Sequence, residues 1–267
     1  MIAAERRNTI KNQLLKNNSV KVSDLVNQFN VSEETIRRDL NQLEKEGFLE
    51  KNYGGAILVN KQTHNPIVLP LQDRHQQFFK EKELIGKKAA ELIEEDQTII
   101  LDAGTTTWHV TTELAEKGNL TIITNAMNIA EKCTKNEIAD IYLLGGKLRR
   151  NSLSTVGPQA EAELKKYNAN YVFLGTSGIS FRQGFTSSDL YEAEMKKAMV
   201  SAGHKRVVLA DHSKLQKAGL TSFCTFEDID IFITSDLADK QILDNIAKAG
   251  VEVIVVSTDE ESWNESE

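Results

Sequence analysis

The 267-residue sequence predicts an α/β chain in two parts: a small three-helix unit closed by a β-hairpin, then a larger domain on a mostly parallel sheet. Three observations carry this expectation. Apolar residues recur at helical spacing through the first 45 positions. A strand-turn-strand pattern follows Gly47. After residue 97, short and nearly continuous apolar runs alternate with amphipathic stretches, as in a sheet covered by helices on both faces.

The first helix spans Ala4 to Asn17, with Ile10, Leu14 and Leu15 on its apolar side and Asn17-Asn18 as its stop. Ser23 is expected to cap a short second helix carrying Leu25, Val26 and Phe29, which Asn30-Val31 ends. Ser32 caps a third, in which Ile36, Leu40 and Leu43 form one buried stripe. Its other face holds Thr35, Arg38, Asn41, Gln42 and Lys45. Gly47 closes that helix. Phe48 to Lys51, the turn Asn52-Tyr53-Gly54-Gly55 and Ala56 to Val59 then read as a wing.

A short helix, a tight turn and a longer helix with a polar N-terminal half make a winged helix-turn-helix, whose second member lies in the major groove of double-stranded DNA. Ser32, Glu34, Thr35 and Arg38 would be nearest the bases, since the planar arginine fork pairs bidentately with guanine. Arg37 and Lys45 are better placed for phosphates, and Asn41 and Tyr53 complete the DNA-facing set. Any small helical bundle with a polar face would share the periodicity alone.

Charge is compatible with this division. The net charge of -7 speaks against nucleic acid as an average, yet residues 1–60 hold nine Lys/Arg against eight Asp/Glu. The acidity is concentrated in the remaining 207 residues. Cys133 and Cys224 lack CxxC spacing and a nearby histidine, so neither a metal site nor a disulfide is expected. No apolar run reaches the ~20 residues of a membrane span, and the N-terminus lacks the apolar core of a signal peptide. The expected location is cytoplasmic, with no membrane partner.

Residues 61–80, with Pro66 and Pro70, read as a linker between a domain over 1–60 and one over 81–257; 258–267 form an acidic tail. A helix from Glu81 to Glu94 leads into the strand Thr98 to Asp102. Further strands are expected at Thr121–Thr124, Ile141–Leu144, Tyr171–Leu174, Arg206–Ala210, Ile231–Thr234 and Val253–Val256. Ligands of such sheets bind at the carboxyl ends of the strands.

Five loops there are chemically rich. Asp102-Ala-Gly104-Thr105-Thr106-Thr107 combines a turning glycine with hydroxyls at a helix start, which suits a phosphate and equally suits plain capping. Asn125 follows the second strand. Gly145-Gly146-Lys147-Leu148-Arg149 allows close backbone approach beside two cations. The stretch Gly175-Thr176-Ser177-Gly178-Ile179-Ser180 is rich in amides and hydroxyls, and Asp211-His212-Ser213-Lys214 offers an acid, an imidazole and an ammonium. There is no GxxxxGK[ST] or GxGxxG string, so ATP and NAD are poor fits and no cofactor is expected.

The string Ser32-Glu-Glu-Thr-Ile-Arg-Arg-Asp-Leu40, with Arg6, Ile10 and Leu14 before it and Tyr53-Gly54-Gly55-Ala56 after it, closely resembles the DeoR family of bacterial regulators. The resemblance makes the third helix the recognition helix and places Ser32, Thr35, Arg37 and Arg38 on DNA-facing positions. The five loops, in this order, resemble the sensor domain of the same family. That domain is similar in fold to ribose-5-phosphate isomerase and sugar-phosphate deaminases. The resemblance implies a phosphorylated sugar or polyol effector and a pocket made by Asp102, Gly104 to Thr107, Gly145, Gly146, Lys214 and the Thr176-Ser177-Gly178 loop.

Isomerase relatives carry an Asp-Gly-Ala-Asp-Glu loop for moving a proton between carbons, whereas the corresponding loop here is Gly175-Thr-Ser-Gly178. Glu192 and Glu194, beside Lys196 and Lys197, could supply a base, or simply form a solvated helix face. Binding without turnover, in a regulator that represses sugar or polyol catabolism, is the favoured expectation. An isomerase or deaminase with an accessory DNA module is the alternative. Single small DNA-binding units grip weakly, so a homo-oligomer, dimer or tetramer, is expected.

Overall fold

The computed structural model describes residues 2–17, 19–46, 48–52, 54–58, 71–135 and 140–259. The chain divides into two units, Met1–His64 and Asn65–Glu267. The helix stop at Gly47, the turn residue Tyr53, the linker as far as residue 70 and the tail from residue 260 lie outside the described residues.

The first unit runs α1 (Ala3–Asn17), β1 (Ser19–Lys21), α2 (Val22–Phe29), α3 (Glu33–Lys45), β2 (Leu49–Asn52) and β3 (Gly55–Leu58). Ile10, Leu14, Leu25, Ile36, Leu40 and Leu43 are all buried, so the apolar stripes of the three helices meet in one core. Strand β1 was not anticipated: three residues are too few to show a period. It pairs antiparallel with β3, which pairs with β2. Ser23 does not cap α2; that position is Lys21, and the Ser23 hydroxyl donates to Asp24 at 3.1 Å. Asn30 ends α2 in the left-handed region, and Ser32 caps α3 by accepting the Thr35 N–H at 3.3 Å.

The second unit opens with α4 (Leu71–Gln76) and α5 (Phe79–Glu91), so residues 71–80, expected as linker, are largely helical. No residue of α4 is fully buried, which is why it shows no apolar period. There follow β4 (Thr98–Leu101), α6 (Thr107–Val110), β5 (Thr121–Thr124), α7 (Met127–Lys135), β6 (Asp140–Leu143), β7 (Lys147–Arg149) and β8 (Ser154–Val156). Then come α8 (Pro158–Leu164), β9 (Ala169–Gly175), β10 (Gly178–Ser180), β11 (Gly184–Ser187), α9 (Leu190–Ala202) and β12 (Gly203–Leu209). The chain ends on β13 (Thr221–Cys224), β14 (Ile231–Ser235), α10 (Lys240–Lys248) and β15 (Glu252–Val256).

Seven strands form one sheet in the order β15-β14-β12-β9-β4-β5-β6, parallel throughout. Because side chains alternate across a strand, Ile100, Val172, Leu174 and Val208 enter a core with α8, α9 and α10. Ile99, Leu101, Phe173 and Val207 enter another with α5, α6 and α7. Burial on both faces is what makes these strands continuous apolar runs in sequence. Cys133 sits in the second core, where burial pushes its thiol up to about 11 and leaves it unreactive. No described helix is long and apolar enough to cross a membrane.

The connection after β4 moves outward to β5 and β6, whereas β9 returns to the other side of β4. The carboxyl ends of β4 and β9 therefore face a crevice where strand order reverses, the usual ligand position in such sheets.

Candidate functional site

A cavity of about 370 Å³ lies at that reversal, lined by the loops after β4 (Gly104 to Thr106), β9 (Gly175 to Ser177) and β12 (Ala210, Lys214). Its scaffold is Asp102, buried at the end of β4. One carboxylate oxygen accepts the Gly104 N–H at 2.8 Å and the Thr107 hydroxyl at 2.6 Å. The other accepts the Gly175 N–H at 2.9 Å, across to β9, and the Lys196 ammonium. Burial alone would raise the Asp102 carboxyl; Lys196 and these hydrogen bonds outweigh it and hold the group below its ordinary value. Gly104 is needed because a Cβ there would sit 2.7 Å from the Thr107 hydroxyl and 2.8 Å from the Asp102 carboxylate. Asp102 and Thr107 thus shape the loop from behind, leaving Thr105 and Thr106 to face the cavity.

The opposite wall is cationic. Arg74 of α4, Lys82 of α5 and Lys214 all line the cavity. Lys82 is buried, donates to the Arg74 carbonyl at 2.6 Å and lies 3.9 Å from the Asp211 carboxylate. Burial lowers its ammonium to about 8; Asp211 opposes that shift, and Lys214 and Arg74 add to it. The Arg74 Nε and Nη2 are buried without a hydrogen-bond partner among the described residues. Lys196 also lines the cavity, but its charge is engaged by Asp102 and the Gly175 carbonyl at 2.8 Å, with the Glu192 carboxylate 4.0 Å away. Glu192 is the one lining carboxylate among the described residues, and Arg149 behind it donates to it at 3.2 Å.

Of the residues expected to hold an effector, Gly104, Thr105, Thr106, Thr176, Ser177, Glu192 and Lys214 come together around the cavity. Asp102, Thr107, Arg149, Gly178 and Asp211 stand behind it. Asp211 caps the turn His212–Lys214 by accepting the Ser213 N–H at 3.1 Å, and Gly178 is packed against the Lys217 carbonyl, where a Cβ would come within 2.5 Å. Asn125, Gly145, Gly146 and Lys147 are not among the lining residues. Asn125 donates to the Thr155 carbonyl at 2.7 Å, Gly145 donates to Glu163 at 3.1 Å, and Lys147 lies over the Tyr191 ring. Those loops are tied to the hairpin of β7 and β8.

Arg74, Gln77, Lys82, Ser188 and Lys217 line the cavity and were not anticipated. Lys196, expected on a solvated helix face, is only 4% exposed. A signal for it existed: it lies three residues from both Ala193 and Met199, which are buried on the same side of α9.

In the first unit, Ser32, Glu34, Arg37, Arg38, Asn41 and Lys45 are exposed, and Thr35 is half-buried. Arg37 pairs with Glu33 at 2.6 Å and Arg38 with Glu34 at 3.3 Å, both one helical turn apart. Exposed pairs of this kind contribute only about 0.3–0.5 kcal/mol, so both guanidinium groups can exchange partners at low cost. Asn41 accepts from Lys51 of β2 at 2.6 Å, tying the wing to α3. Asp39, on the inner face, pairs with Arg6 at 2.6 Å and Arg7 at 3.4 Å. Arg6 is therefore a core residue that fixes α1 against α3.

A family model described as the DeoR-like helix-turn-helix domain matches residues 6–62, and one described as the DeoR C terminal sensor domain matches residues 77–236. Among curated relatives, the HTH-type transcriptional regulator GlpR of Haloferax volcanii is 33% identical over 95% of this chain and 98% of its own. The HTH-type transcriptional regulator GolR of Listeria innocua is 33% identical over 95% and 98%, and IolR of Bacillus subtilis 33% over 85% and 89%. A solved ribose 5-phosphate isomerase from Plasmodium falciparum matches 54% of this chain and 52% of its own at 18% identity and a TM-score of 0.38. With both of its parts matched in order by the two family models, and with regulators as its full-length relatives, the chain belongs to the DeoR family of transcriptional regulators.

Proposed function

We propose that this regulator binds an operator through α3 and is controlled by a phosphorylated sugar or polyol held in the cavity of the second unit. Ser32, Glu34, Thr35 and Arg38 read base edges, Arg37 and Lys45 meet phosphates, and Asn41 and Tyr53 complete the DNA-facing set. The observation that carries the effector assignment is the pairing of a hydroxyl and amide loop, Gly104 to Thr106, with the Arg74 guanidinium, whose Nε and Nη2 have no partner among the described residues, and the ammonium groups of Lys82 and Lys214. Inside a partly buried cavity such a surplus of positive donors favours an anion with several acceptor oxygens. The hydroxyls of Thr176, Ser177 and Ser188 suit the polyol portion.

Turnover is not supported by the carboxylates at hand. Asp102 is held by Lys196, and Glu192 by Arg149, so neither is free to carry a proton between carbons. Operator and effector binding to different states of one protein weaken or strengthen each other by linkage, and repression relieved by the effector is the mode we favour. One recognition helix per chain favours a homo-oligomer, dimer or tetramer, that presents at least two.

A thermal-shift screen of the full chain against phosphorylated sugars and polyols, each beside its unphosphorylated parent, tests the reading. A phosphate ester that binds the folded state raises the melting point, and Thr105→Val abolishes the rise. Equal responses to ester and parent would remove the phosphate from the proposal.

A further inference from the structure

We propose that Arg74 is an effector-binding residue whose engagement fixes α4, so that the anion is felt directly by the first described element after the N-terminal unit. This rests on the cavity being an anion site, and adds the residue and the helix through which occupancy is transmitted.

Helix α4 is attached lightly. It has six residues, none fully buried. Its carbonyl at Arg74 accepts from Lys82 at 2.6 Å, and the His75 ring packs edge-on against Trp108 and His109, with centroids 5.0 and 6.4 Å away. Phe78, in the left-handed region at φ 53, separates α4 from α5, a conformation that a bulky side chain adopts under strain. Against this slight anchorage, the Arg74 side chain lines the cavity with two buried nitrogens that lack partners among the described residues. Buried charged donors are normally satisfied, so the missing acceptor is most simply supplied by the ligand.

Two connections make the contact a relay. The Lys82 ammonium lines the cavity and holds the Arg74 carbonyl, so one anion can engage α4 and α5 together. The threonine loop runs directly into α6, which carries the Trp108 and His109 rings that His75 leans on. Loop, α4 and α5 therefore close around the same space.

Inorganic phosphate is the probe, titrated against the full chain carrying Trp263→Phe so that Trp108 is the single tryptophan, with chloride at matched ionic strength as control. The expected result is a rise in melting point together with a change in Trp108 emission. Arg74→Gln should need at least about tenfold more phosphate for the same rise and show no emission change, and Arg74→Lys should fall between. If Arg74→Gln is itself poorly folded, Arg74→Lys carries the comparison, and a midpoint equal to the parent's overturns the assignment. Unchanged midpoint and emission in Arg74→Gln would overturn the role of Arg74 and leave the anion site standing. No response of the parent to phosphate would remove the site and this inference with it.

Discussion

Lys196 and Asp102, 94 positions apart in sequence, form a buried ion pair that joins α9 to the end of β4 directly beneath the cavity. The carboxylate has three further donors, whereas the ammonium has one further hydrogen-bond acceptor and the Glu192 carboxylate at 4.0 Å. That asymmetry sets an order for two substitutions. Asp102→Asn takes from the buried ammonium its one close carboxylate, Glu192 being 4.0 Å away, and is expected to cost about 3–5 kcal/mol, while Lys196→Met leaves a carboxylate still hydrogen-bonded and is expected to cost about 1–3 kcal/mol. Urea midpoints read by circular dichroism check this; a larger loss for Lys196→Met would contradict the division of donors.

Lys82 is expected to make anion binding in the cavity depend on alkaline pH. Its ammonium, lowered to about 8 chiefly by burial, loses its charge as pH rises past that value, and an anion then meets a neutral amine. The dissociation constant of a phosphate ester is expected to rise above pH 8, by up to about tenfold per pH unit. Calorimetric titrations from pH 7 to 10 should show the rise in the parent and a flat profile in Lys82→Met. The same rise in both would assign it elsewhere.

His75 and His109 bear on stability in acid. Burial first, and nearby cations or the other imidazole second, push both down to about 4 from 6.5, so the fold keeps them neutral. Between those values the unfolded chain binds more protons, and stability falls as pH drops through that window. Each histidine contributes up to about 1.4 kcal/mol per pH unit, all of it present above pH 6.5. Denaturant midpoints at pH 7 and 5 should differ less in His109→Phe than in the parent.

Asp39 is expected to matter for DNA binding without touching DNA. Asp39→Asn breaks the buried pairing with Arg6 and should cost about 3–5 kcal/mol, lowering operator affinity through loss of the α1–α3 packing. Adding Arg6→Met should restore part of the melting temperature. Full affinity in folded Asp39→Asn would refute this positioning role.

The seven sheet strands were legible because burial on two faces writes an unbroken apolar run, as at Thr98 to Leu101. Strands β10, β11 and β13 were not: three or four residues, partly Gly, Ser and Thr, have no period to read. The threonine loop was legible through its glycine and hydroxyls. Arg74 and Lys82 were hidden because a cation in a polar helical stretch looks solvated, and only folding turns it toward β4 and β12. Asn125 and Lys147 do not line the cavity: the Asn125 amide donates to the neighbouring hairpin and Lys147 lies over the Tyr191 ring, contacts that the run of polar groups after a strand does not reveal.

The most direct test of a regulator switched by a phosphate ester is fluorescence anisotropy of the full chain on its own upstream DNA, across a salt series, with and without the ester that raises its melting point. The expected result is salt-sensitive binding, weakened by about 1–3 kcal/mol in Arg38→Ala and shifted by the ester but not by its unphosphorylated parent. An ester that binds the protein while operator affinity stays constant would contradict it.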